Sequence, residues 1–207
     1  MKKLIIMAVF FFPAALFAQE EEVKNTFEEF KTAMTGGNSG DVLALASSSS
    51  VAYYDDLLDM ILYADSSKVA KLPLIQRIGV LGTRARVPVD TLIGMEGQDF
   101  LQYSMNANGN NAQQMQMLGI GDVLVNEDNT ASGQVTANGQ PLPMSITFVE
   151  EGGEWKIDMS SLERMGEGQL QQMMSQSGMD FNQFLKMALA QQGITVDDSI
   201  WHPLAER

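Results

Sequence analysis

Cysteine is absent from the 207-residue chain, and histidine occurs once. The first absence excludes disulfides, cysteine nucleophiles, thiolate zinc sites and iron–sulfur clusters. The second excludes a two-histidine metal site within one chain. Positive charge is also scarce: 13 Lys and Arg stand against 26 Asp and Glu, a net charge of −13. So acidic a chain is a poor match for nucleic acid, whose phosphates need cationic partners. No G-x-S-x-G elbow, P-loop, Rossmann G-x-G-x-x-G or H-E-x-x-H occurs, so no common nucleophile, nucleotide or zinc motif is present. What the chain does have is 45% apolar residues, too many for a disordered tail.

The first 18 residues read as an export signal. Lys2 and Lys3 form a positive start, Leu4 to Phe17 is an uncharged apolar run, and Ala18 is a small residue before the abrupt Gln19-Glu20-Glu21-Glu22. The run is shorter than the ~20 residues that span a bilayer, and Pro13 interrupts it. Cleavage after Ala18 is expected. It removes two lysines and takes the net charge from −13 to −15. No later stretch approaches a membrane span, so no membrane insertion is expected after cleavage and the product is expected in the periplasm or secreted. A cysteine-free exported chain is stable by packing alone and indifferent to redox state.

Hydrophobic spacing then predicts the elements. Val23, Phe27, Phe30 and Met34 lie on one face of a helix over 20–35, which Gly36-Gly37 ends. Asp41 is placed to cap a short second helix, and the Ser47–Ser50 run reads as a turn or a frayed end. Helical patterns follow over 51–65, over 68–82 with its regular part starting at Pro73, and between Val89 and Met105. Residues 106–116 read as a polar linker. The period changes to that of strands over 117–125, 130–137, 142–150 and 154–160, with turn chemistry at 126–129 and at Glu151-Gly152-Gly153. Trp155, Ile157 and Met159 alternate on one face. Helical periodicity returns over 162–176, and Asp180 with Gln183 has capping-box spacing ahead of Phe184, Leu185 and Ala188.

The order of helices followed by an antiparallel meander, closed by Phe148-Val149-Glu150-Glu151-Gly152-Gly153-Glu154-Trp155-Lys156-Ile157-Asp158, resembles the nuclear transport factor 2-like (NTF2-like) superfamily. The helix, Gly-Asn-Ser-Gly-Asp turn and second helix at the start look similar too. The resemblance covers roughly residues 22–160. It implies an α+β fold, with N-terminal helices packed on a curved antiparallel sheet that forms a cone, often around an apolar cavity. The chain departs from the family in its extra helices at 55–105 and in a C-terminal helical extension and tail over 161–207. Its expected organisation is therefore a leader (1–18), an α+β domain (19–160) and that extension.

Several residues are candidates for chemistry. By strand parity Asp122 shares a face with Leu118, Ile120 and Leu124, where a carboxylate would have a raised pKa and serve as a base or polar anchor. If glycines shift the register, it faces water instead. Tyr53 and Tyr54 are candidates for the rim of the same pocket. Between Ser66 and Val89 there is no acid, but Lys68, Lys71, Arg77, Arg84 and Arg86 carry five positive charges. Arg77, Arg84 and Arg86 are candidates for holding an anion or a partner, or for pairing with the protein's own acids. Asp55, Asp56 and Asp59 lack the spacing of a calcium loop, and no metal or cofactor is expected. Gly119-Ile120-Gly121 reads as a bend or bulge, and His202 as a tail residue beside Trp201. The Met-rich stretch from Met165 to Met187 reads as a docked helix or an adaptable binding surface.

These readings converge on an exported, non-catalytic module that binds a small apolar ligand or another protein. Two alternatives stand beside it. One is an isomerase- or cyclase-like enzyme with a carboxylate in the cone; the other is a structural accessory protein whose cone is filled.

Overall fold

A computed structural model describes residues 12–107 and 112–206. Lys2 and Lys3, the first part of the apolar leader and the Asn-rich centre of the linker lie outside them. The fold is α+β and 61% helical, with one four-stranded antiparallel sheet that is not curled.

Helix α1 (Phe12–Gly36) runs through the leader boundary into the body. Three helices follow: α2 (Ser39–Ala44), α3 (Ser48–Tyr63) and the single turn α4 (Ser66–Val69). Next come α5 (Leu74–Arg86), α6 (Val89–Leu92), α7 (Gly97–Ala107) and α8 (Ala112–Met117). The sheet is a meander of β1 (Leu118–Val125), β2 (Thr130–Ala137), β3 (Gln140–Glu151) and β4 (Glu154–Ile157), in spatial order β1-β2-β3-β4. The chain ends with α9 (Met159–Met165), α10 (Glu167–Ser177), α11 (Phe181–Ala190) and two 3₁₀ turns.

The four strands, the hairpin turns and the Pro73 boundary of α5 match the sequence reading, except that β4 stops at Ile157 instead of continuing to 160, and Met159 reaches the sheet core as the first residue of α9. The β3–β4 turn needs Gly152 and Gly153, whose φ values are +66° and +86°. Other boundaries differ for identifiable reasons. Ser47 is not a frayed end: its side chain accepts from the Ser50 amide and caps α3. Asp41 lies inside the first turn of α2 and accepts from the Asn38 side chain at 2.6 Å, while Asn38 is the capping residue. The single helix expected between Val89 and Met105 is divided by Ile93–Glu96, which contains Gly94 at φ +86°. Part of the expected linker forms α8.

Two cores result. In the first, α1 lies across the sheet, and Val23, Phe27, Phe30 and Ala33 meet Ala131, Val135, Ile146, Phe148, Trp155 and Ile157. Gly133 lets the chains come close here, since a Cβ on it would lie 2.9 Å from Ile120 and 3.0 Å from Phe148. In the second, α3, α5, α6, α7, α11 and the C-terminal turns bury Leu58, Ile61, Val80, Leu81, Leu92, Phe100, Leu185, Leu189 and Ile200. Tyr54 packs on both.

The outer edge of the sheet is covered rather than left open. Leu45–Ser47 runs beside β4: the Ile157 amide donates to Leu45 at 2.7 Å, and the Ser47 amide to Ile157 at 3.0 Å. Beyond the reach of β4, the Thr147 amide donates to the Ser161 hydroxyl and the Asp158 amide to the Thr147 carbonyl. Pro141 and Pro143 remove donors from the remainder of β3, which discourages pairing with another strand.

Candidate functional site

The expected pocket carboxylate is not on the apolar face. The β1–β2 register shifts between Ile120 and Val123, next to Gly119 and Gly121. This bulge reverses the parity: Ile120, Val123 and Val125 pack on the sheet core, while Asp122 is exposed and Leu124 is 66% exposed. Tyr53 and Tyr54 are half-buried on α3, their rings edge to face at 5.5 Å, and Tyr54 leads on to Phe100 at 6.1 Å. Tyr54 belongs to the seam between the cores with Tyr53 against its ring, and Asp122 on β1 is not grouped with them.

The three arginines also part company. Arg84 is 2% exposed. Its Nε donates to Ile61 at 2.8 Å, and its Nη2 donates to Met60 at 2.8 Å and Ala64 at 2.6 Å. Its Nη1 reaches Ile200 at 3.3 Å. These carbonyls are the C-terminal end of α3 and the chain's final turns. The guanidinium therefore satisfies the Ile61 and Ala64 carbonyls that the helix leaves open and shares Met60 with the Ala64 amide, at the end where the helix dipole favours a cation. Arg77 lies 4.8 Å over the Phe181 ring and donates to Leu72 at 3.0 Å, tying α5 to α11. Arg86 is exposed and donates to Gly82 and to the Gln192 side chain. His202 is exposed after the first 3₁₀ turn.

Several acids cap helices distant in sequence, a role the sequence analysis missed. Glu151 accepts from the Ser48 amide at 2.9 and 3.1 Å and from the Ser48 hydroxyl at 2.7 Å, closing the start of α3. Glu167 accepts from the Leu74 and Ile75 amides at 2.9 and 2.8 Å, closing the start of α5 from α10. Partial burial pulls the Glu167 pKa up. The two amides, the Gln171 side chain and the Arg77 charge outweigh it, and the carboxyl titrates below the usual glutamate range. Asp55 accepts from the Gly97 amide at 2.9 Å and anchors the start of α7 to α3. Asp65 caps α4, and the hydroxyl of Ser67 and the amide of Lys68 hold its pKa down. The Asp180–Gln183 capping box forms as the spacing implies.

An open groove runs along the outer side of α1. Its wider part, about 790 Å³, lies between α1 and α2 and continues into a second part of about 380 Å³ beside β4; the two share Asn25, Glu29 and Leu45. Ala33, Leu45 and Trp155 supply apolar floor. The walls carry Glu22, Glu28, Glu29, Asp41 and Glu154, with Lys156 at one end. Glu28 is paired with Lys31 at 2.6 Å, and Glu154 with Lys156 at 2.7 Å. The Lys156 contact lowers the Glu154 pKa. The groove presents exposed carboxylates over an apolar floor, which suits contact with a cationic surface.

Among the described residues, no group of three or more His, Asp or Glu is placed to hold a metal ion. No family model, curated protein or solved structure matches the chain.

Proposed function

We propose that the protein is an exported, non-catalytic binding module of nuclear transport factor 2-like kind in which side chains fill the space between α1 and an uncurled sheet, and that it engages another protein along the outer groove of α1. The observation that carries this reading is the contrast between the two sides of α1. The side facing the sheet is closed by Phe27, Phe30, Ile146 and Phe148, whereas the outer side is open and lined by carboxylates over an apolar floor. A closed inner side argues against a small apolar ligand. The exposure of Asp122 takes the candidate base away from the isomerase or cyclase alternative.

Export is supported by how α1 is used. From Phe17 onward, the first buried side chain is Val23, and Phe17 itself is 65% exposed. Phe17 and Ala18, the last two residues before the proposed cut, are exposed and lie outside both cores. No helix among the described residues is long and apolar enough to cross a membrane.

The test places a photo-crosslinking residue at Asn25 or Thr32 in the groove, and at Gln134 on the sheet as a control, in the full chain expressed with export. A defined protein adduct from the groove positions alone supports the reading. A small apolar molecule retained by the purified protein in native mass spectrometry, with no adduct at the groove, overturns it.

A further inference from the structure

We infer that the mature chain carries a modification at its first residue: Gln19 closes into a pyroglutamyl (5-oxoproline) ring. The inference rests on the proposed cleavage after Ala18. It goes beyond that cleavage in assigning a chemical fate to the new terminus.

The structure shows what the cut leaves behind. The Ala18–Gln19 bond lies inside α1, in the stretch before Val23, where the helix has not yet entered the core. Cleavage leaves a helix that begins at Gln19 and remains anchored by Val23, Phe27 and Phe30. The first backbone amides of that helix lose their partners, and the positive end of its dipole falls on the terminus. Glu20, Glu21 and Glu22 become its first turn, where carboxylates are favoured. A terminal ammonium is the one charge there of the wrong sign for the dipole, and ring closure removes it.

The chemistry needs only Gln19 itself. An α-amine titrates near 8, so about a tenth is neutral and nucleophilic at pH 7. The neutral nitrogen attacks the Cδ carbonyl carbon of its own side chain. A nitrogen–Cδ bond forms and the Cδ–Nε2 bond breaks. Nε2 takes a proton from the attacking nitrogen and leaves as ammonia. The product is a five-membered lactam; nothing is oxidised or reduced, and no co-reactant is required. Gln19 is half-buried in the full helix and lies one turn before Val23, so removal of residues 1–18 leaves it at a helix end, where fraying gives the side chain the rotation the ring needs.

The full chain is expressed in an exporting bacterial host, and the exported protein is analysed by intact mass and by fragmentation of its N-terminal peptide. The expected result is residues 19–207 lighter by one ammonia, blocked to stepwise N-terminal degradation and unblocked by pyroglutamyl aminopeptidase. Gln19→Asn, whose ring would have four members, is expected to be cut at the same bond and to keep its full mass and a free amine. A wild-type chain that begins at Gln19 and still has a free amine after prolonged incubation at neutral pH overturns the inference and leaves the export reading standing. A chain that retains residues 1–18 overturns both.

Discussion

Around the sheet, the space between α1 and the strands is filled by Phe27, Phe30, Phe148 and Trp155, and the strands satisfy their own backbone groups pairwise. Around α3, leucines, isoleucines and valines fill the equivalent space, and polar groups close its ends: Arg84 at the end of α3, Glu151 at its start and Glu167 at the start of α5. The difference follows from backbone chemistry. A sheet leaves open donors and acceptors only at its edges. A set of short helices leaves them at every end, and buried ends must be met by side chains. The sheet region is therefore stabilised mainly by apolar area, whereas the helical region also depends on a few polar side chains that reach across it.

Substitutions can break or sharpen that contrast. Arg84→Ala removes hydrogen bonds to four carbonyls, three of them buried and one part-buried, and is expected to destabilise by about 4 kcal/mol in urea denaturation. Arg84→Lys, which keeps the charge without the planar fork, should recover less than half of that loss. Trp155→Ala tests the sheet side, where lost area and a cavity together should cost about 3 kcal/mol. If the arginine change proves cheaper than about 1 kcal/mol, the polar account of the helical core fails.

Gly97→Ala probes the seam. A Cβ there would collide with the Val51 carbonyl oxygen and lie 2.7 Å from the Asp55 backbone nitrogen, forcing α7 off α3. The expected loss is about 2 kcal/mol, measured as a lower denaturation midpoint.

Glu167→Gln should cost about 1 kcal/mol, the scale of a lost helix cap. Its pH dependence has a definite sign. The folded pKa is depressed, so the carboxylate's contribution is complete above the unfolded value near about 4.3, and is lost as the pH falls through the lower folded value. Wild type should therefore lose stability relative to the Gln variant on acidification below about pH 4.5, and the difference between them should be constant from about pH 6 to 8. The smallest effect is expected for Asp122→Asn, a change of under about 0.5 kcal/mol, because the side chain is exposed beside the bulge.

How far the sequence could be read depended on the range of the interaction. The meander, the Pro73 start, the capping box at Asp180 and the common phase of Trp155, Ile157 and Met159 are local, since each depends on residues a few positions apart. The bulge at 120–123 was half legible: its glycines were visible, but its effect on Asp122 depended on β2. Arg84 stood out only as one of five cations in an acid-free segment. Its partners lie 20 to 116 residues away, and no spacing rule connects them. Glu151 and Glu167 were equally hidden, because a carboxylate that caps a distant helix has the same local pattern as one in solvent.

The sequence by itself determined the α+β class, the strand alternation and the absence of cysteine chemistry, because hydrophobic period and composition act through neighbours along the chain. The tertiary structure alone decided which charges became structural, which side of α1 stayed open and which face of β1 Asp122 took. Those outcomes depend on which helix ends and strand edges meet in space. An acceptor left open at the end of α3 is satisfied by whichever donor packing brings to it, and here packing brought Arg84.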